Sequence, residues 1–168
     1  MKDGIIIFGS SRSQGDTRKV VDYCLDQLDF EFVDLNEYQI SYYDYEHRNK
    51  DDDFMPLFER VAQHHKILFA TPVYWYTMSA VMKTFFDRIT DVLRMRRPLK
   101  KSLAGKGLAS LSCSNADDLI EGFHRPFEET AGYLKMEYLG GVHAWVEEDA
   151  IAPAALPQLD HFLTTLKG

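Results

Sequence analysis

Five short stretches of the chain carry the apolar pattern of strands, and helical patterns separate them. The first, Gly4–Phe8, has no polar alternation, which is typical of a strand buried on both faces of a parallel sheet. The later predicted strands span residues 30–35, 66–71, 106–111 and 136–145. This alternation predicts a doubly wound α/β fold, a three-layer α/β/α sandwich around a five-stranded parallel sheet in the order 2-1-3-4-5.

The clearest helical pattern begins at Thr77, after which apolar residues recur at helical spacing as far as Leu93. On its polar side Lys83 and Asp87 stand four residues apart, so we expect them to form a local ion pair. Arg88 follows them and could instead turn towards a neighbouring element. The pattern predicts one long helix with a wide apolar face.

Two further features concern the second half of the chain. A helix is predicted to follow the fourth strand, capped by Ser114 or Asn115 and kinked or split by Pro126. The fifth strand contains Gly140 and Gly141, a pair that predicts a bulge or a close approach of another group to the backbone.

Length and composition narrow the class of protein. A chain of 168 residues predicts one domain, residues 1–168, and the hydrophobic and charged fractions are ordinary for a globular protein. A net charge of -7 argues against nonspecific nucleic-acid binding, and no apolar run is long enough to cross a membrane. The N-terminus enters a strand rather than a secretory signal, so a cytoplasmic location is expected.

The cysteines and histidines give no sign of a disulfide, a metal site or a catalytic thiol. Two cysteines, Cys24 and Cys113, are too few for a disulfide scaffold or an iron–sulfur cluster and are expected to be reduced. No two histidines have the spacing of a zinc site, so no metal is predicted. Cys113 lacks an evident neighbour that would lower its pKa, and no catalytic residue is predicted.

The first predicted strand ends in a polar loop, residues 9–17, which contains glycines, hydroxyl side chains and Arg12. Such a loop offers an anion backbone N–H groups, O–H donors and a positive charge at a helix N-terminus. Three known phosphate loops each need a residue that this loop lacks. A Walker loop needs Lys after Gly15, a dinucleotide-binding fingerprint needs a third glycine, and a tyrosine-phosphatase-type loop needs a Cys nucleophile. A loop that binds phosphate without attacking it remains, beside the alternative of an ordinary polar turn.

Two more unusual loops fall at the same edge of the predicted sheet, after the third and fourth strands. Residues 72–76 carry three consecutive aromatics, which suit a flat ligand but equally an aromatic plug or a subunit interface. Pro72 should end the third strand, because it cannot continue the ladder. Residues 112–117 form the other polar loop. A phosphate site beside a site for a flat ring best matches flavin mononucleotide (FMN).

Two other segments allow more than one interpretation. The connection from Asn36 to Asp53 is long and rich in tyrosine; it could cover a flat ligand, pack on a second subunit, or pin its aromatics on its own sheet. Residues 94–101 hold a basic cluster, which is either a solvated helix end or an electropositive rim for a phosphorylated nicotinamide cofactor.

These motifs resemble the NAD(P)H-dependent FMN reductases of the flavodoxin-like superfamily. The matching pieces are the 9–12 loop leading to residues 15–17, and the 71–76 segment followed by Ser79, Lys83, Phe85, Asp87 and Arg88. The resemblance covers most of the chain and is weakest over residues 36–53. It implies a flavodoxin-like fold.

The resemblance also implies a set of cofactor-binding residues. Around the phosphate it places Ser10, Arg12, Gly15, Asp16 and Thr17. Along the isoalloxazine ring it places Pro72, Val73, Tyr74, Trp75 and Tyr76, with Ser112, Cys113 and Ser114 near its other side or the ribityl chain. An ionised Asp16 beside a phosphate is a departure, because it is repulsive unless the side chain turns back to cap the helix.

The activity implied is transfer of hydride from NAD(P)H through bound FMN to a small-molecule acceptor such as a quinone, azo compound or free flavin. A homodimer or homotetramer is implied as well. Two alternatives stay open from the residues themselves: a flavodoxin-type carrier that does not turn over NAD(P)H, and a flavin-free binding protein.

Overall fold

The computed structural model describes residues 2–168, which form a mostly parallel sheet covered by helices on both faces. The strands are Gly4–Phe8 (β1), Phe30–Asp34 (β2), Lys66–Tyr74 (β3), Thr77–Met78 (β4), Gly107–Ser114 (β5), Glu137–Glu147 (β6) and Ala150–Ile151 (β7). The helices are Asp16–Leu25 (α1), Phe54–Val61 (α2), Ala80–Met95 (α3), Arg97–Ser102 (α4), Arg125–Leu134 (α5) and Leu156–Lys167 (α6).

Five long strands pair in parallel in the order β2-β1-β3-β5-β6, which confirms the predicted order. The count of five is too low, because β4 and β7 each add two antiparallel residues, to β3 and β6 respectively. Both additions are hairpins at the carboxyl ends of their parent strands. They extend the sheet where the polar loops lie.

Two apolar clusters form the core, one on each face of the sheet. Residues of α2, α3 and α5 pack on one face, and residues of α1 and α6 pack on the other. Each helix therefore buries one stripe against the sheet, as helical periodicity predicts for a three-layer sandwich. No helix within residues 2–168 is long and apolar enough to span a bilayer.

Strands β3 and β5 run further than predicted. β3 continues through Pro72 to Tyr74, and Pro72 lies opposite Cys113 in the register. β1 pairs only as far as Ala70, so the missing N–H of Pro72 falls beyond the doubly paired part of β3 and is tolerated there. β5 likewise extends to Ser114, and the polar loop predicted from residue 112 begins only after it.

Two predicted helix starts are wrong. α3 begins at Ala80 rather than Thr77, because Thr77 and Met78 pair back with β3. The helix expected from Ser114 or Asn115 begins only at Arg125, so Pro126 occupies its first turn instead of kinking it. A proline is well placed there, since first-turn N–H groups have no intrahelical partner.

The predicted bulge in the fifth strand is confirmed. The register between β5 and β6 shifts after Leu108, so that Ser110 lies opposite Gly141, and Gly140 has a φ of 105°. The bulge brings Gly141, which has no side chain, beside a polar position of β5.

A buried ion network holds the long connection over residues 36–53 against α3. Arg88 is 1% exposed and donates to Asp52, to Asp91 through Nε (2.6 Å), and to the Ser41 carbonyl (2.9 Å). His47 contacts the second carboxylate oxygen of Asp91 at 2.9 Å. Arg88 thus turns towards a neighbouring segment, while the predicted Lys83–Asp87 pair forms on the exposed side at 2.6 Å.

We predict that Arg88→Leu lowers the free energy of unfolding by about 3–5 kcal/mol, since it leaves the Asp52 and Asp91 carboxylates in the interior without a cation. Urea denaturation measures the change. The matched control is Lys83→Ala, which breaks an exposed pair on the same helix and should cost at most about 1 kcal/mol. Equal losses in the two variants would contradict a structural role for the buried network.

Candidate functional site

A cleft of about 180 Å³ opens at the carboxyl edge of the sheet, where β1, β3 and β5 end side by side. Ten of the thirteen predicted site residues line it, together with Asn115, which had not been predicted: Ser10, Arg12, Gly15, Asp16, Thr17, Pro72, Val73, Tyr74, Cys113, Ser114 and Asn115. Trp75, Tyr76 and Ser112 lie outside the lining. The cleft is smaller than most whole-cofactor pockets, so it suits one end of a nucleotide.

The floor of the cleft is the N-terminus of α1. Gly15 is the cap residue and supplies no side-chain cap, so the first amides of the helix have no partner in the cap and face the opening. The Arg12 side chain folds back to within 3.5 Å of the position that a Cβ on Gly15 would occupy. Amide donors and a guanidinium therefore converge on one point, as an anion site requires.

The Ser79 side chain connects this loop to the next one along the edge. Its hydroxyl donates to the Gly9 carbonyl at 2.7 Å and accepts from the Met82 amide at 3.0 Å, which caps α3. The Ser79 amide in turn donates to Thr71 Oγ1 at 3.0 Å. Ser79 belongs to the motif quoted from the sequence, but its role as a link between loops is visible only in the structure.

Asn36 supports the loop from the other side and was missed in the sequence. Its side-chain Nδ2 donates to the Ser10 carbonyl at 2.8 Å, from a position just after β2. The sequence offered one indication of this contact: Asn36 follows β2, which is predicted to lie next to β1 in the sheet. The loop is thus held by β2 and α3, elements far from it in the chain.

The aromatic segment forms a tight hairpin rather than an open loop. Trp75 and Tyr76 are its two central residues, between β3 and β4, and both have positive φ, 47° and 65°. Two positive φ values are the signature of a type I′ turn, which favours Asn-Gly and is strained for bulky aromatics. Trp75 is 91% and Tyr76 63% exposed. A strained turn that presents large apolar rings to solvent indicates a binding surface.

Tyr74 joins the hairpin to the anion loop. Burial opposes ionisation of its phenol, but hydrogen bonds from Ser11 and Ser10 and the charge of Arg12 together hold the pKa below its usual value of 10.0. The phenol oxygen thus lies among the same donors that face the cleft. The phosphate-type loop and the aromatic hairpin form one continuous surface.

The end of β5 forms the opposite wall. Burial raises the pKa of the Cys113 thiol to about 12, which leaves it a neutral thiol rather than a nucleophilic thiolate. Ser114 lines the cleft beside it. Ser112 is fully buried and its hydroxyl contacts His143 at 2.9 Å, so this predicted contact residue points into the interior.

The Asp16 carboxylate does not cap α1. Lys19 donates to Asp16 and to Asp149 at 3.0 Å each, which raises the pKa of the Lys19 ammonium, with Asp149 the larger cause. Asp16 therefore occupies the first position of the helix with its charge directed towards a cation. That pairing reduces its repulsion of an anion in the cleft.

The basic cluster of residues 94–101 lies at the opposite edge of the sheet. α3 starts at Ala80, next to the residue that bonds Gly9, and the cluster begins at Arg94, 14 residues later, about 21 Å along the helix at 1.5 Å per residue. The structure thus separates this cluster from the cleft of the same chain. Within residues 2–168 no group of three or more His, Cys, Asp or Glu side chains could hold a metal ion.

Comparison with known proteins decides the family. Residues 4–148 match the family model of the NADPH-dependent FMN reductases. The chain belongs to this family. It is 30% identical over 147 residues, 82% of this chain and 81% of the relative, to YwqN of Bacillus subtilis, a protein provisionally named an NAD(P)H-dependent FMN-containing oxidoreductase. The protein is accordingly an oxidoreductase whose cofactors are FMN and NAD(P)H.

Solved structures share the fold. The Trp repressor binding protein from Bacillus subtilis superposes with a TM-score of 0.76 at 24% identity, covering 96% of each chain. An FMN-dependent NADH-azoreductase from Bacillus anthracis, solved with FMN, gives a TM-score of 0.69 at 12% identity, covering 98% of this chain and 99% of its own. Both confirm the flavodoxin-like fold.

The chain's own residues fit FMN at the cleft. The uncapped amides of α1 and the Arg12 guanidinium suit a phosphate dianion, and the exposed hairpin gives a flat surface for a ring system. A cleft of about 180 Å³ is large enough for a phosphate, and Tyr74 of the hairpin and Ser114 of β5 line the same cleft.

We predict that Asp16→Asn binds FMN as tightly as the wild type or up to about fivefold more tightly, because an exposed charge pair contributes about 0–1 kcal/mol. Fluorescence quenching of FMN measures the affinity. Asp149→Asn is the control: it removes the other partner of Lys19 outside the cleft and should leave FMN affinity unchanged. A loss of affinity above tenfold in Asp16→Asn would mean that the carboxylate contacts the cofactor.

A second prediction concerns the strained hairpin. Replacing Trp75 and Tyr76 by Asn and Gly should raise the free energy of unfolding by about 1–2 kcal/mol, since that pair suits two positive φ values. FMN affinity should fall at the same time, because the ring surface is removed. Thermal melts and FMN titrations measure both quantities. Tyr133→Asn, an exposed aromatic on α5, is the control that should alter neither.

Proposed function

We propose that the protein transfers hydride from NAD(P)H through FMN to a small aromatic acceptor, such as a quinone, an azo compound or a free flavin, within one domain. In this proposal the α1 amides, Ser10, Arg12 and Thr17 bind the FMN phosphate. Residues 72–76 support the ring, and residues 113–115 approach the ribityl chain or the far side of the ring, since Ser112 points into the interior. The bound flavin supplies the redox chemistry.

The observation that carries the proposal is the joint construction of the anion loop and the aromatic hairpin. Ser79 fixes the Gly9 carbonyl to the start of α3, and Tyr74 reaches back to Ser10 and Ser11. A ligand that uses both surfaces must have a phosphate at one end and a flat ring at the other. FMN has that form.

The exposure of the hairpin supports an acceptor that stacks on the ring from solvent. Orientation of two stacked rings contributes to hydride transfer without an acid–base pair beside them. The absence of ionised side chains on the hairpin favours an uncharged planar acceptor over a charged one. The neutral Cys113 thiol takes no part in this chemistry.

We also propose a homodimer or homotetramer. The exposed aromatics lie on two segments, Tyr42 and Tyr45 on the long connection and Trp75 and Tyr76 on the hairpin. Exposed aromatics in this number are typical of an interface, and a second copy would cover them. A cytoplasmic location accords with the use of NAD(P)H.

The test is spectroscopic. Purified protein mixed with FMN should show a bound-flavin spectrum, and NADPH or NADH added without oxygen should bleach it within seconds to minutes. Absence of flavin binding would contradict the proposal. Bound flavin that stays oxidised would favour a flavodoxin-type carrier.

Residue roles are tested by comparing FMN with riboflavin, which lacks the phosphate. We predict that Arg12→Ala weakens FMN binding by about tenfold or more, as expected for a charge-assisted contact of about 1.5–3 kcal/mol, with riboflavin binding unchanged. Equal weakening of both ligands would mean that Arg12 contacts the ring or supports the fold instead.

A further inference from the structure

A ladder of hydrogen-bonded polar side chains runs along one face of the sheet and ends at the cleft. β5 alternates, and its residues Ser110, Ser112 and Ser114 share one face, where a core strand would normally be apolar. Ser110 and Ser112 are fully buried. Burying a hydroxyl group costs free energy of folding unless it is hydrogen-bonded, so each of these serines is expected to have a hydrogen-bond partner.

The partners are two imidazoles and a phenol, and they form one continuous chain. Ser110 Oγ lies 2.8 Å from both Tyr138 Oη and His124 Nδ1. Ser112 Oγ then joins His124 Nε2 at 3.4 Å to His143 Nδ1 at 2.9 Å. The ladder from half-buried Tyr138 to Ser112 has no gap.

The ladder ends at the cleft. His143 Nε2 lies 3.2 Å from Ser114 Oγ, and Ser114 is one of the residues that line the cleft. Asp118 contacts Ser114 at 3.2 Å, and Glu128 is the charged group near Tyr138. No charged side chain interrupts the ladder between those two ends within the described part of the chain.

One carbonyl fixes the direction of every bond. His143 Nε2 lies 3.1 Å from the Ala116 carbonyl oxygen, which can only accept, so Nε2 carries a proton. His143 Nδ1 must then accept from Ser112. Ser112 has its own donor engaged there, at 2.9 Å, rather than on the Val142 carbonyl at 3.5 Å.

The same logic continues outward. Ser112 must accept from His124, whose Nε2 therefore carries its proton, and His124 Nδ1 must accept from Ser110. Ser110 in turn accepts from the Tyr138 hydroxyl. Burial, with a smaller contribution from His143, lowers the pKa of His124 to about 4, which keeps that ring neutral as this pattern requires. Each donor thus points towards the cleft.

The backbone makes room for the outer end. A Cβ on Gly141 would lie 2.5 Å from His124 Cγ and 2.8 Å from the Tyr138 hydroxyl oxygen. The bulge in β6 puts that glycine opposite Ser110. Glycine here is what allows phenol, hydroxyl and imidazole to meet.

From this geometry we propose that the ladder from Tyr138 through Ser110, His124, Ser112 and His143 to Ser114 is a directional proton wire that serves the cleft. The proposal rests on the proposed function. Reduction of a quinone-class acceptor follows NAD(P)H + H⁺ + quinone → NAD(P)⁺ + hydroquinone. The hydride supplies two electrons and one proton, and the second proton comes from solvent.

The wire supplies that second proton when stacked rings exclude water from the site. The Ser114 hydroxyl turns from the Ala116 carbonyl, 2.7 Å away, and gives its proton to the product oxygen. It then accepts from His143, and each donor behind it passes one proton along, with Tyr138 reprotonated from solvent. After the product leaves, water at the open cleft gives one proton to Ser114 while Tyr138 releases one to solvent, and this exchange restores the Nε2–H tautomer that the Ala116 carbonyl favours.

The polarity is tested on the cofactor-free protein. Long-range ¹H–¹⁵N NMR should show both His124 and His143 as the Nε2–H tautomer at neutral pH. An Nδ1–H tautomer in either ring would overturn the proposal. This readout does not depend on activity.

The role in turnover is tested with Ser110→Ala and Ser112→Ala in FMN-loaded protein, followed by stopped flow. We expect reduction by NAD(P)H, which needs no solvent proton, to change less than about twofold, while quinone reduction slows by about tenfold or more. The solvent deuterium isotope effect on quinone reduction should change as well. Ser112→Thr, which keeps a hydroxyl, should restore both.

Thermal melts and FMN titrations on the same variants exclude loss of fold or cofactor. Quinone reduction with unchanged rate and isotope effect in both alanine variants would overturn the wire and leave a purely structural ladder. Wild-type protein that binds no FMN or is not reduced by NAD(P)H would instead overturn the proposed function. The two failures are therefore distinguishable.

Discussion

The hydrogen bond from Ser79 to the Gly9 carbonyl is the contact on which the site depends. It is fully buried and 2.7 Å long, and the same hydroxyl caps α3, so neither loop can move without uncapping a helix. A Cβ on Gly9 would lie 3.0 Å from Met82, which shows how closely the loop packs on that helix. The anion loop and the aromatic hairpin consequently act as one rigid surface.

The rest of the fold distributes its polar groups around that surface. On the side of α3, the Arg88 network holds the tyrosine-rich connection in place. On the side of α5, the serine and imidazole ladder occupies what would otherwise be apolar core. The exposed hairpin is strained, because Trp75 and Tyr76 both hold positive φ there. Rigid support under a strained, exposed contact surface is what stacking of a flat cofactor requires.

The sequence predicted the strand order, the flanking helices and the two loops that meet at the cleft, because apolar periodicity and edge chemistry are local signals. The predictions from sequence were wrong where contacts between residues distant in the chain determine the structure. Ser112 and Ser114 were predicted to lie in a loop, because the partner that His143 offers them is distant in the chain. Pro72 was predicted to end β3, because the sequence does not show that β1 stops pairing before it. The alternative of a cofactor rim at residues 94–101 depended on a helix length that places them at the other edge.

The most direct measurement of the central claim is a crystal structure of the protein with FMN. We predict the phosphate within hydrogen-bonding distance of the first α1 amides and the Arg12 guanidinium, with the isoalloxazine ring against residues 72–76. A phosphate bound away from the α1 N-terminus, or a ring lying on the tyrosine-rich connection instead of the hairpin, would contradict it.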